Sequence, residues 1–87
     1  MTAPPDSILS DADLAVLRVL WDHRGKVVGR DSIRRLAGFH DVSERRVDSC
    51  LVALRRRIGP QHLVTVRQRG WMLTPEGAVR AWALLQP

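Results

Sequence analysis

Cysteine is nearly absent from this 87-residue chain, where Cys50 stands alone. A single thiol excludes an internal disulfide framework. Neither Cys50 nor the widely separated His23, His40 and His62 has a neighbour at metal-ligand spacing, so no metal and no cofactor is expected. No apolar run approaches the ~18 residues of a membrane span, which argues against a membrane partner. The opening MTAPPDS is too short and too polar for a secretory signal and reads as a disordered lead-in over residues 1–8 of a cytoplasmic protein. There is no nucleophile set beside a base, no paired carboxylates in a plausible cleft and no glycine-rich phosphate loop, so the residues do not describe an enzyme. Repeats and low-complexity tracts are missing as well. The length suffices for one domain with one modest core.

Lysine is scarce too: all but one of the 14 basic residues are arginine, and they are placed unevenly. Residues 1–29 carry three basic and four acidic side chains, net −1. Residues 30–69 carry ten arginines against Asp31, Asp41, Glu44 and Asp48, net +6, and residues 70–87 balance Arg80 against Glu76. A basic middle between neutral ends suits a polyanion such as nucleic acid. Composition by itself leaves open a second reading, a solvated arginine-rich surface.

Local patterns divide the chain into four helices and a hairpin. Ser10 and Asp13 form a short-armed capping box, Leu9 and Leu14 a hydrophobic staple, and Leu14, Leu17, Leu20 and Trp21 recur at helical spacing. A first helix is therefore expected from about Asp11 to His23, ended by Gly25. Lys26-Val27-Val28 reads as a short edge strand. A second helix, from about Arg30 to Ala37, should bury Ile33 and Leu36 and turn Arg34 and Arg35 outward. After a connector over 38–42, Ser43 caps a third helix that stops at Gly59-Pro60. Leu63–Val66 and Trp71–Leu73 read as strands around the turn Arg67-Gln68-Arg69-Gly70. Thr74 caps a last helix with Pro75 at its first position.

The third helix separates into two faces at ~100° per residue. Val47, Leu51, Leu54 and Ile58 form a narrow inward stripe, with Cys50 beside it as a half-buried filler. Arg45, Ser49, Val52 and Arg56 lie opposite, flanked by Arg46, Ala53 and Arg57 on one side and by Asp48 and Arg55 on the other. Small residues at the centre let such a helix sit deep in a major groove while the arginines reach phosphates or guanine edges. Asp48 has two readings: it accepts from a cytosine amino group, or it orients Arg45 or Arg55. Arg67 and Arg69 project from a narrow turn, a shape suited to a minor groove or the adjoining backbone, and Thr65 can offer its hydroxyl to a phosphate. Trp71 fits packing under the hairpin better than contact with a ligand.

These residues, taken in order, resemble the C-terminal DNA-binding domain of OmpR/PhoB-type bacterial response regulators. The parts that carry the likeness are G-K-V-V, then Arg45, Val47-Asp48 and Leu54-Arg55-Arg56, then Thr65-Val66-Arg67 with Gly70, over about Leu9 to Leu73. The resemblance implies an α+β winged helix-turn-helix: a three-helix core, a C-terminal β-hairpin wing over 65–71 and, here, an extra helical extension over 74–87. It also implies that Arg45, Arg46, Asp48, Arg55 and Arg56 contact bases or backbone, that Arg67 enters the minor groove, and that Thr65 and Trp71 touch phosphate. Val52, Ala53 and Cys50 depart from residues common in the family, so base preference should differ. The sheet that usually precedes the first helix is not expected in 1–8, and no receiver domain is expected. The connector is about one residue shorter than the loop that meets RNA polymerase in activators, which weighs against that partner.

The expected function is sequence-specific binding of double-stranded DNA by a transcriptional regulator. Two other readings remain at this point: a protein-interaction winged helix, for example on RNA polymerase, and an architectural or recombination-directionality factor. The last helix, with Val79, Trp82 and Ala83 as an apolar strip widened by Leu84 and Leu85, either packs on its own domain or joins a homodimer.

Overall fold

The computed structural model describes residues 9–39 and 44–86. The expected lead-in over 1–8, most of the connector and the Ser43 cap lie outside them. Four helices and one hairpin follow in the order α1 (Asp11–Asp22), α2 (Arg30–Leu36), α3 (Glu44–Ile58), β1 (Leu63–Val66), β2 (Gly70–Leu73) and α4 (Pro75–Leu85).

The start of α1 is a complete capping box. The Asp13 amide donates to Ser10 Oγ at 3.1 Å, and the Ser10 amide donates to Asp13 Oδ2 at 3.0 Å. Its core face is wider than the spacing of leucines suggests: Val16 and Val19 are buried beside Leu17 and Leu20, while Leu14 and Trp21 are half-buried. Two elements explain that width, because α3 and α4 both pack on α1. Helix α3 meets it with Val47, Leu51, Leu54 and Ile58, all buried as the periodicity requires.

In α2 the expectation for Leu36 fails. Ile33 is fully buried, but Leu36 is 51% exposed at the last position of a seven-residue helix. A helix this short has one inward line, and Ala37 continues it at i+4 from Ile33, joined by Phe39 from the following turn. Arg34 is half-buried rather than turned fully outward. Its guanidinium donates to Asp31 Oδ1 at 2.8 Å and to the Phe39 carbonyl at 3.4 Å.

The hairpin pairs Leu63 with Leu73, Val64 with Met72, Thr65 with Trp71 and Val66 with Gly70. Leu63 and Leu73 close the core from this side. The edge strand expected at 26–28 contracts to a single bridge, in which Val28 and Trp71 exchange amide–carbonyl bonds of 2.8 and 2.9 Å. That bridge explains Gly70: a Cβ there would stand 2.1 Å from the Val28 carbonyl oxygen. The reversal of the chain falls to Gln68, at φ 64°.

Helix α4 is capped by Thr74, whose Oγ1 accepts from the Gly77 amide at 3.0 Å. It packs on α1, but through another face than its large residues suggest. Gly77, Ala78 and Ala81 are buried, whereas Val79, Trp82 and Ala83 are exposed. Close approach selects the small residues, since a Cβ at Gly77 would lie 2.3 Å from the His62 carbonyl oxygen.

A candidate nucleic-acid interface on the third helix and the hairpin

With its apolar stripe committed to the core, α3 turns Arg45, Arg46, Ser49, Val52, Arg56 and Arg57 to solvent, with Ala53 half-exposed among them. None of these arginines has a carboxylate partner among the described residues. The face is therefore cationic and shallow at its centre. Arg55 differs: it is half-buried, and its Nε is enclosed without a partner among the described residues. It presents less of its guanidinium outward than Arg56 does. The Arg46 guanidinium lies 6.0 Å from the centre of the Phe39 ring.

Asp48 is not paired with Arg45 or Arg55. Its Oδ1 accepts from Arg30 Nε at 2.9 Å, across from α3 to the first residue of α2. Sequence spacing gave no access to this partner, because 18 residues separate the two positions and only the packing of α2 on α3 brings them together. Arg30 also stands over the Trp71 ring at 5.4 Å and lines a cleft of ≈ 260 Å³ with Thr65, Gln68, Arg69 and Gly70. The cation at the start of α2 thus seams the Asp48 flank of α3 to the hairpin. Thr65, Arg69 and Trp71 meet at this seam; Thr65 and Arg69 are exposed, and Trp71 is half-buried on the Val28 bridge. Arg67 is exposed at the tip.

Cys50 is buried at 3% exposure rather than half-buried. Burial first, then a hydrogen bond with the Asp13 carboxyl, pushes its thiol up to about 12, which makes it an unreactive packing group. Among the described residues no cluster of His, Cys, Asp and Glu is placed to hold a metal ion, and no helix is long and apolar enough to cross a membrane.

Two successive helices, the second with a cationic outer face, and a basic hairpin seamed to its flank define a winged helix-turn-helix. The family model described as "Transcriptional regulatory protein, C terminal" matches residues 6–73, and the chain belongs to this family of OmpR/PhoB-type DNA-binding domains. Helix α4 lies beyond the matched region. Protein PetR of Rhodobacter capsulatus is 31% identical over 80 residues, covering 78% of this chain and 34% of PetR. The chain thus spans about a third of the length of that relative. No solved structure matches it.

Proposed function

We propose that this chain binds double-stranded DNA sequence-specifically in transcriptional regulation, with α3 in the major groove and the hairpin on the adjacent minor groove or backbone. One observation carries the reading: the outward face of α3 is lined with Arg45, Arg46, Arg56 and Arg57, which have no carboxylate partner among the described residues, around a centre of Ser49, Val52 and Ala53 small enough to seat in a groove. Arg45, Arg46 and Arg56, with Asp48, Ser49 and Arg55 at their sides, supply contacts to base edges and phosphates. Arg67 and Arg69 reach from the turn, Thr65 gives a hydroxyl to the backbone, and Trp71 supports the hairpin from below. Arg30 joins this set as a residue that holds Asp48 and the hairpin in one frame and offers its remaining N–H groups to phosphate.

A gel-shift assay at low salt tests the proposal. Arg45→Ala/Arg56→Ala should bind a random duplex at least about tenfold more weakly than the parent, while Arg80→Ala on α4 should bind like the parent. Equal affinity of the double variant and the parent would remove α3 from the interface. Selection of bound fragments from the source genome then separates sequence-specific from uniform binding, and circular-permutation mobility separates a simple regulator from a DNA-bending factor.

A further inference from the structure

A groove of ≈ 600 Å³ opens between α1 and α4, lined by Trp21, Arg24, Gly25, Pro75, Val79 and Trp82, with Ala78 and Thr74 beneath. The lining comes from α1, the turn after it and α4, and shares no residue with the cationic surface described above. Its walls are indoles. The Trp21 and Trp82 rings stack with centroids 4.9 Å apart and 29° between their planes. Among the described residues its one lining charge is Arg24. That side chain is held in place twice, by its guanidinium lying 4.1 Å from the centre of the Trp21 ring and by Nη1 donating to the Trp21 carbonyl at 3.0 Å. It has no carboxylate partner among the described residues, so the other N–H groups of the fork remain to be satisfied.

Size and surroundings select the occupant. The volume falls within the ~300–1,000 Å³ usual for small-molecule clefts. The apolar surface does not extend into a protein-sized face: exposed Arg18 and Asp22 pair with each other on α1, and exposed Glu76 and Arg80 flank Val79 on α4. A stable protein interface needs roughly 800 Å² per partner, and charged residues bound this one within a helical turn. A second copy would bring another net charge of +5 against a groove whose lining charge, Arg24, is already positive. We infer that this groove is a binding site for a small planar aromatic carboxylate, its ring on the Trp21–Trp82 wall and its carboxylate on the Arg24 fork.

The test is a titration of the ¹⁵N-labelled 87-residue chain with 1-naphthylacetate and with its neutral counterpart 1-naphthylacetamide. The three tryptophan indole N–H signals serve as reporters. The carboxylate should shift the Trp21 and Trp82 signals saturably and leave Trp71 in place, and the amide should bind about tenfold more weakly for want of the charged pair. In Arg24→Gln the acid and the amide should become equal, and the unchanged spectrum elsewhere shows that the variant is folded. The inference is overturned if the acid leaves Trp21 and Trp82 unmoved, if acid and amide bind alike in the parent, or if shifts centre on Trp71 and the arginine face. It is also overturned if the mass by light scattering is that of a dimer which Trp82→Ala dissociates, since a second copy then fills the groove.

Discussion

Asp48 and Arg30 show how one ion pair can fix the relation of two elements without adding much stability. Both side chains are close to half-exposed, at 47% and 41%, so solvent screens their attraction. A double-mutant cycle with Arg30→Ala and Asp48→Ala, followed by urea unfolding, should return a coupling of only about 0.2–1 kcal/mol. Cys50 behaves in the opposite way, as a neutral group whose ionisation the fold resists. Its folded value of about 12 lies above that of a free thiol near ~8.5. The stability tied to the protonated thiol is thus complete below the free value and is lost as pH rises through the folded one. The chain contains no tyrosine and a single lysine, so few other groups titrate in that window. The urea midpoint of the parent should fall from about pH 9 upward, and that of Cys50→Ala should fall less. At neutral pH a thiol reagent should label Cys50 only after denaturant is added; rapid labelling of the folded chain would contradict its burial.

At the scale of elements, α4 depends on absent side chains as much as on present ones. Gly77 touches the His62 carbonyl, and the Thr74 amide and hydroxyl both donate to that same oxygen, at 3.0 and 3.3 Å. A side chain at position 77 must push the helix off the hairpin. Gly77→Val should lower stability by about 1–3 kcal/mol, whereas Leu36→Gln, at an exposed helix end, should stay within about 0.5 kcal/mol. Thermal unfolding of the two variants against the parent checks the contrast. Sequence reasoning located α4 correctly from Thr74-Pro75, because capping is local chemistry. Its apolar strip holds only in part: Leu84 and Leu85 pack against the core, but Val79, Trp82 and Ala83 are exposed, because contact between a helix and a neighbouring backbone selects glycine and alanine. The same limit applied to Leu36, where apolar spacing did not show that α2 ends too soon to bury it. For α3 the stripe of Val47, Leu51, Leu54 and Ile58 was readable outright, since fifteen residues give the period four turns in which to declare itself.

For the whole molecule, the separation of charge is the property that a measurement in solution reads most directly. The +6 segment over 30–69 supplies α3 and the turn of the hairpin, and α1 and α4 lie outside it. If about five phosphates are neutralised, log K against log salt should fall with a slope near −4 to −5. An affinity indifferent to salt between about 50 and 200 mM would contradict binding through this face. The sequence by itself determined the four helices and the hairpin, the caps at Ser10 and Thr74, the buried stripe of α3 and the arginine face opposite it, because each rests on residues within a turn or two of one another. Only the tertiary structure decided that Asp48 belongs to Arg30, that Val28 rather than a full strand borders the hairpin, and that Trp82 lies on Trp21 at the surface. These are contacts across 18, 43 and 61 positions of chain. No local period encodes them, and they exist only once packing has settled which backbones can approach.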